Sequence, residues 1–297
     1  MGSIFKSWMK IAVICLVCLL MVTHARAGQD VKKIGVLAKR GATVAQKKWG
    51  PLAEYLTQKT GTRFIIVPLT FVGIEPAVKS QRIDYLIANS GFYVDLNEKY
   101  GIKALATMLN KRQDQALSQF GGVIFVRADS PINSIEELKE KKFMCVKRTS
   151  FGGGQMAFRH MIEKGINPFK DMTLMEGRKH DNVVYMVQKG KVDAGTVRSD
   201  TLERMEAEGK IKVADFRVLD QVKDDFPFLH TTILYPEWPF AASAHTDQEL
   251  NQKIKHALLA MKKDDPAAVA GKLVGWVKPL DYGPVRKCLD MIKQHMK

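Results

Sequence analysis

Residues 33–67 read KIGVLAKRGATVAQKKWGPLAEYLTQKTGTRFIIV, and this stretch decides the fold class. Lys33–Ala38 is a β-rich run of apolar residues. Trp49, Leu52, Ala53 and Leu56 then recur at helical spacing until Gly61 stops the pattern, and Phe64–Val67 is a second β-rich run. A strand, an amphipathic helix and another strand in succession are the building unit of an α/β protein.

The alternation continues outward. Tyr85–Ala88, Lys103–Met108 and Gly122–Val126 are further runs of strand length. A new series then opens. Ser134-Ile-Glu-Glu137 is a capping box that predicts a short helix. Phe143–Val146 reads as a strand, and a helix follows Gly152–Gly154. Thr173–Met175 and Asp193–Val197 are strands, with helices from about Asp181 and Asp200. Alternation of this length predicts mostly parallel sheets. In the tail, the box Thr246-Asp-Gln-Glu249 leads a helix with Leu250, Ile254, Leu258 and Met261 on one face. A last helix starts near Tyr282, and both tail helices are expected on the first sheet. There is no internal repeat. Two α/β blocks with a helical return predict two lobes: residues 28–118, then 119–225, then a return through 226–297. The crossings fall near Gln119–Gly122 and Phe226–Tyr235.

The N-terminus carries an address. Lys6 and Lys10 precede a run of twelve apolar residues, Ile11–Val22, and Ala25-Arg26-Ala27 is a cleavage pattern. This is the form of a secretory signal peptide over residues 1–27, leaving a periplasmic protein that begins at Gly28. The alternative is an uncleaved anchor, but the run falls short of the roughly 18–20 residues a spanning helix needs. Neither Cys15 nor Cys18 follows a small residue, which argues against a lipoprotein. No second hydrophobic span follows. Losing Lys6, Lys10 and Arg26 lowers the net charge from +15 to +12.

Export and the lack of basic stretches interleaved with aromatics exclude nucleic acid as a partner. The charge is either a solvated basic surface or a field that attracts anionic solutes. Cys145 and Cys288 sit in apolar patterns and read as small core residues; a disulfide between them is permitted by the compartment but not indicated. No Cys/His spacing suggests a metal. No cofactor is expected.

Trp49-Gly-Pro-Leu-Ala-Glu-Tyr-Leu56, Val126-Arg-Ala-Asp-Ser130, Lys179-His-Asp181 and Lys191-Val-Asp-Ala-Gly195, in this order and spacing, resemble the phosphate/phosphite/phosphonate substrate-binding family of ABC importers (PhnD-like). Ser150-Phe-Gly-Gly153, the stretch Ala194–Arg204 and Leu234-Tyr-Pro-Glu-Trp-Pro-Phe240 look like a subgroup fused to sensor histidine kinases as periplasmic input domains. The resemblance implies a Venus-flytrap fold of type II periplasmic-binding topology, with the ligand in a cleft between lobes.

An anion needs desolvated donors, which helix N-termini supply. Thr149 and Ser150, between a strand and a helix, match a family turn that holds ligand oxygens, although Phe151 intrudes before the glycines; Ser150 as a simple helix cap is the competing reading. His180, at the start of a helix, stands where the family has a ligand-contacting histidine, and Asp181 could cap that helix instead. Asn89-Ser90-Gly91-Phe92-Tyr93 follows the third strand. Ser90 and Tyr93 are candidates there, Tyr93 matching a family tyrosine or serving as a core-edge aromatic. Asp200 stands where the family places an acid near the ligand, and Glu237 lies in the Tyr-Pro-Glu-Trp-Pro segment at the return crossing; in related proteins that bind aminoalkyl phosphonates such acids hold the amine, and here both could instead pair with Arg198. Phe71 falls near a family tyrosine and lacks its hydroxyl.

Gly152-x-Gly154-x-x-Ala157 superficially meets a dinucleotide fingerprint, but no nucleophile–base pair accompanies it. The chain is read as a non-enzymatic, monomeric solute-binding protein. It captures a small anion for an ABC permease, or alternatively reports it to a sensor histidine kinase in the inner membrane.

Overall fold

A computed structural model describes Val31–Met296. The segment read as a signal peptide, and the start at Gly28, lie outside the described residues. No described helix is long and apolar enough to cross a membrane.

The chain runs through β1 (Lys32–Leu37), α1 (Ala42–Thr60), β2 (Phe64–Leu69), α2 (Ile74–Lys79), β3 (Tyr85–Ile87), α3 (Ser90–Tyr100), β4 (Lys103–Arg112) and β5 (Gln115–Leu117). It continues through β6 (Gln119–Phe120), β7 (Gly122–Arg127), β8 (Lys142–Cys145), α4 (Met156–Glu163), β9 (Thr173–Glu176), α5 (His180–Gln188), β10 (Ala194–Arg198), α6 (Thr201–Ala207) and β11 (Phe216–Val218). It returns through β12 (Tyr235–Pro236), β13 (Pro239–Ala242), α7 (Gln248–Leu259), α8 (Pro266–Gly271), β14 (Leu273–Val277) and α9 (Gly283–His295).

The opening unit folds as its pattern dictates. α1 buries Trp49, Leu52, Ala53 and Leu56, and ends at Gly61, whose left-handed φ of 77° lets its N–H return to the Thr57 carbonyl.

A seven-stranded sheet has the order β14-β4-β13-β3-β1-β2, with β5 on β4, and a five-stranded sheet has the order β11-β7-β10-β8-β9. The two are the lobes of a type II periplasmic-binding fold. The sheets are more mixed than the alternation predicts. Four pairings are parallel, whereas β13 runs against β3 and β4, and β7 runs against β10 and β11. The reason is topological. Parallel strands of a βαβ unit end at the cleft, whereas β7 and β13 each enter their sheet from the other lobe and so begin there. Just before them, β6 and β12 pair antiparallel, Phe120 opposite Tyr235 and Gln119 opposite Pro236, so that the outward and return strands cross side by side.

Three local expectations need correction. Ser134–Glu137 opens only a three-residue 3-10 turn, Glu136–Leu138, in which the Glu137 carboxylate accepts from the Asn133 N–H four residues back. The cap of α7 is Asp247, accepting from the Leu250 N–H at 2.7 Å, while Thr246 donates to the Ser243 carbonyl. Of the tail helices, α7 packs on β4 and β14, but α9 lies against α3 of the first lobe and α4 of the second. Its buried stripe is Val285, Cys288, Leu289 and Ile292. These residues join an apolar cluster that also holds Ile74 and Leu96 from the first lobe and Phe143 and Phe158 from the second.

Cys145 and Cys288 are both free and buried, and desolvation pushes each thiol up to about 12.

Candidate anion-binding site

Arg198 is the last residue of β10 and is 7% exposed. Its Nε donates to Asp200 Oδ1 at 2.9 Å and its Nη2 to Glu237 Oε1 at 2.8 Å. Its guanidinium also lies 4.3 Å from the ring centroid of Phe120, on the outward crossing. Asp200 adopts a left-handed φ of 74° in the turn into α6. Its Oδ2 sits 3.1 Å from Nε of Arg112, which ends β4 in the other lobe. The chain Arg112–Asp200–Arg198–Glu237 therefore links both sheets and the return crossing. Burial alone would raise the Glu237 carboxyl pKa. The Arg198 and Arg112 guanidiniums, with hydrogen bonds from Arg198 and Asn110, overcome this and hold it below the usual range.

Two lysines face this chain from the first lobe. Lys39 follows β1, with Nζ 5.1 Å from the Trp238 ring centroid, and Lys48 lies on α1, with Nζ 4.7 Å from that of Trp49. Neither has a carboxylate within ion-pair distance among the described residues. Desolvation, then repulsion from Arg112, only partly offset by Glu237, lowers the Lys48 ammonium to about 7. Lys39 is exposed as a residue, yet its ammonium lies among the charges of Arg198, Lys48 and Arg112. Desolvation there, then repulsion from Arg198, Lys48 and Arg112, lowers its pKa well below the ordinary lysine value.

His180 opens α5 and reports the same field. Desolvation, then the charges of Lys39, Arg198, Arg204 and Arg40, lower its pKa well below the usual histidine value. Its Nδ1 accepts from the Arg198 backbone N–H at 3.3 Å, so the neutral ring keeps Nε2–H as a donor. The donor expected here is thus imidazole rather than imidazolium. Asp181 does not cap α5; it pairs with Arg204 and Lys210.

Ser150 is buried at the cap position of a π-helical turn, Phe151–Gln155, that leads into α4. Its side chain makes no cap bond, so Ser150 is not a simple cap, and its hydroxyl has no partner among the described residues. Thr149 beside it is exposed. The glycines that follow allow a tight approach. A Cβ on Gly152 would lie 2.5 Å from Phe120 Cε2 and 3.1 Å from Arg198 Cβ. One on Gly153 would lie 2.5 Å from Val146 Cγ2 and 2.9 Å from His180 Cε1. These contacts pack the turn closely against Phe120, Val146, His180 and Arg198. Gly153→Ala must displace Val146 or His180, so we expect a loss of about 1–3 kcal/mol, as for an overpacked core, visible in thermal denaturation.

The structure thus gathers His180, Asp200 and Glu237 around Arg198, with Ser150 on the turn whose Gly152 packs against it. It uses the remaining candidates differently. Ser90 donates to the Pro236 carbonyl at 2.6 Å and pins α3 to the return crossing. Asn89 caps α3 by accepting from the Phe92 N–H. The Tyr93 hydroxyl accepts from the Ala104 N–H at 3.2 Å and its ring packs edge-on to Tyr282, which makes it a core residue. Phe71 lies under Lys147 of the second lobe, at 5.2 Å. Lys39, Lys48 and Arg112 were not among the candidates. One signal for Lys39 was present: it follows the first strand, at the carboxyl edge where open α/β sheets bind ligands.

Comparison with known proteins places this geometry. Residues 34–281 match the family described as ABC transporter, phosphonate, periplasmic substrate-binding protein. The tetrathionate sensor histidine kinase TtrS of Salmonella typhimurium is 32% identical over 265 residues, 88% of this chain and 44% of TtrS, so the chain spans less than half of that relative. Among solved structures, XAC2383 from Xanthomonas citri bound to ATP aligns with a TM-score of 0.72 at 19% identity, covering 90% of this chain and 99% of that one. PhnD1 from Prochlorococcus marinus in complex with methylphosphonate aligns with a TM-score of 0.68 at 13% identity, covering 91% and 100%. At these identities the two structures speak for the fold. The extent of the family match carries the assignment: the chain belongs to the periplasmic phosphonate substrate-binding family of ABC transporters.

Proposed function

We propose that the chain is a periplasmic receptor that takes a small oxyanion into the cleft and presents it to an ABC importer in the inner membrane, with no catalytic step. The observation that carries this reading is the gathering of Lys39, Lys48, Arg112 and Arg198 around the Asp200–Glu237 carboxylates, beside the neutral His180 imidazole and the turn that holds the unpartnered Ser150 hydroxyl. Cationic and hydrogen-bonding groups from two lobes suit an anion that bridges them, and such a ligand favours the arrangement it bridges. Thr149 stands at the rim of this group. We take residues 119–225 as the second lobe and the rest as the first, with a signal peptide removed before Gly28.

A second reading, a ligand sensor working with a histidine kinase, is favoured by the 32% identity to the tetrathionate sensor kinase. Both readings need the same capture step. A thermal-shift screen against phosphate, methylphosphonate, sulfate, thiosulfate and tetrathionate tests it. At a hundredfold excess over Kd a ligand stabilises the protein by about 2.7 kcal/mol. Hydrogen bonds to a charged group are worth about 1.5–3 kcal/mol, so Ser150→Ala and His180→Ala should each weaken the binding anion by roughly ten- to a hundredfold. Wild-type affinity in both variants would move the site elsewhere.

A further inference from the structure

Every carboxylate in the anion site is already engaged. Asp200 gives one oxygen to Arg198 and the other to Arg112. Glu237 gives Oε1 to Arg198 and receives hydrogen bonds from Asn110 and the Trp238 N–H, the latter at 3.4 Å. Each oxygen of both acids already has a partner, so an incoming ammonium group would have to share it with a guanidinium or a backbone N–H. Nearby Asp181 is paired with Arg204 and Lys210. On the other side of the balance stand Arg112, Arg198, Lys39 and Lys48. With both ammoniums protonated, four positive charges face the two carboxylates of Asp200 and Glu237, an excess of two. Exposed Arg40 adds to the excess. The unbalanced charges are those of Lys39 and Lys48, both on the first lobe.

We infer that the ligand is a doubly charged oxyanion with no amine, and that Lys39 and Lys48 select it. The inference rests on the anion-receptor reading above and narrows it to a charge class. An ammonium-bearing zwitterion would bring its cation toward four others, and a monoanion would leave one positive charge unbalanced. Like-charge juxtaposition of this kind is how a site rejects near-isosteres.

Calorimetry at pH 7 tests it with two groups of probes. The dianions are tetrathionate, sulfate and ethane-1,2-disulfonate. The others are ethanesulfonate, a monoanion, and the zwitterions taurine and 2-aminoethylphosphonate. Taurine and ethane-1,2-disulfonate share a skeleton and differ in replacing a sulfonate by an ammonium. The best dianion should bind more than about tenfold tighter than any of the other three, and the Lys39→Met/Lys48→Met variant should lose that gap. These lysines lack ion-pair partners, so this variant should melt no lower than wild type. A gap under tenfold in the wild type, or a gap that persists in the variant, would overturn the charge rule and leave the anion receptor standing. Failure of every probe to bind would overturn both.

Discussion

Arg198→Met is expected to lower the melting temperature by roughly 6–20 °C, from a loss of about 3–5 kcal/mol. The cause is what the substitution leaves behind. Glu237 is fully buried, and Arg198 supplies both its nearest charge and a hydrogen bond at 2.8 Å. Removing one partner of a buried pair strands the other in a medium that solvates it poorly, and this costs more than the pair itself contributed. The double variant Arg198→Met/Glu237→Gln should recover much of the loss. The pH dependence carries a sign. In the wild type the Glu237 pKa is depressed, so its contribution is complete above the unfolded carboxyl pKa and is lost as pH falls through the folded one. Without Arg198, burial dominates and raises that pKa. The native state then holds the proton longer than the unfolded chain, and stability falls as pH rises. The stability difference between wild type and Arg198→Met should therefore widen from pH 5 to pH 8 in chemical denaturation. A constant difference would show that Glu237 is not the stranded group.

The second large effect is on affinity. With an oxyanion from the screen as probe, binding should weaken as pH rises above 7, with Lys48 contributing up to about tenfold per pH unit. Lys48 titrates at about 7, held down by desolvation and then by Arg112, with Arg198 and Arg40 adding to the repulsion and Glu237 opposing it. Lys39 faces the same groups and repels it too. An anion between them favours the ammonium forms, so the complex binds more protons than the free protein and binding takes up protons at neutral pH. Calorimetry in buffers of different ionisation enthalpy counts those protons. Lys48→Met should bind roughly ten- to a hundredfold more weakly at pH 7. Its pH profile should be shallower by about one proton, the remainder coming from Lys39. An unchanged slope would place the anion away from Lys48.

The strand–helix–strand unit at residues 33–67 was legible because each element is decided by its own neighbours: Trp49, Leu52 and Leu56 form one face whatever lies beyond them. Strand direction was not, because β7 and β13 owe theirs to the lobe they come from, which no local pattern records. The last helix shows the same limit. Its stripe through Val285 and Leu289 was plain, but a stripe does not say which surface it meets. At the candidate site, Ser150, His180 and Asp200 were expected from their match to family positions and Glu237 from its place on the return crossing, with Ser150 and His180 also standing at helix starts. Tyr93 looked the same in sequence, and only the fold shows its hydroxyl taken by Ala104. Lys39 and Lys48 were hidden among 46 lysines and arginines, because convergence across two lobes, and not residue type, sets them apart.

The position of α9 has a mechanical consequence. It is attached on both sides: Arg286 Nη1 donates to Glu98 Oε2 at 2.7 Å in the first lobe, while Cys288 Sγ meets the Gln155 carbonyl at 3.6 Å and the His295 carbonyl accepts from Asn167 Nδ2 at 3.0 Å in the second. The two crossing strands are therefore joined by a third, non-covalent strut. Two halves tied along such a line behave like a pair of tongs gripped near the pivot. In any rotation of the two halves, atoms beside α9 would travel least, and displacement would grow with distance from it.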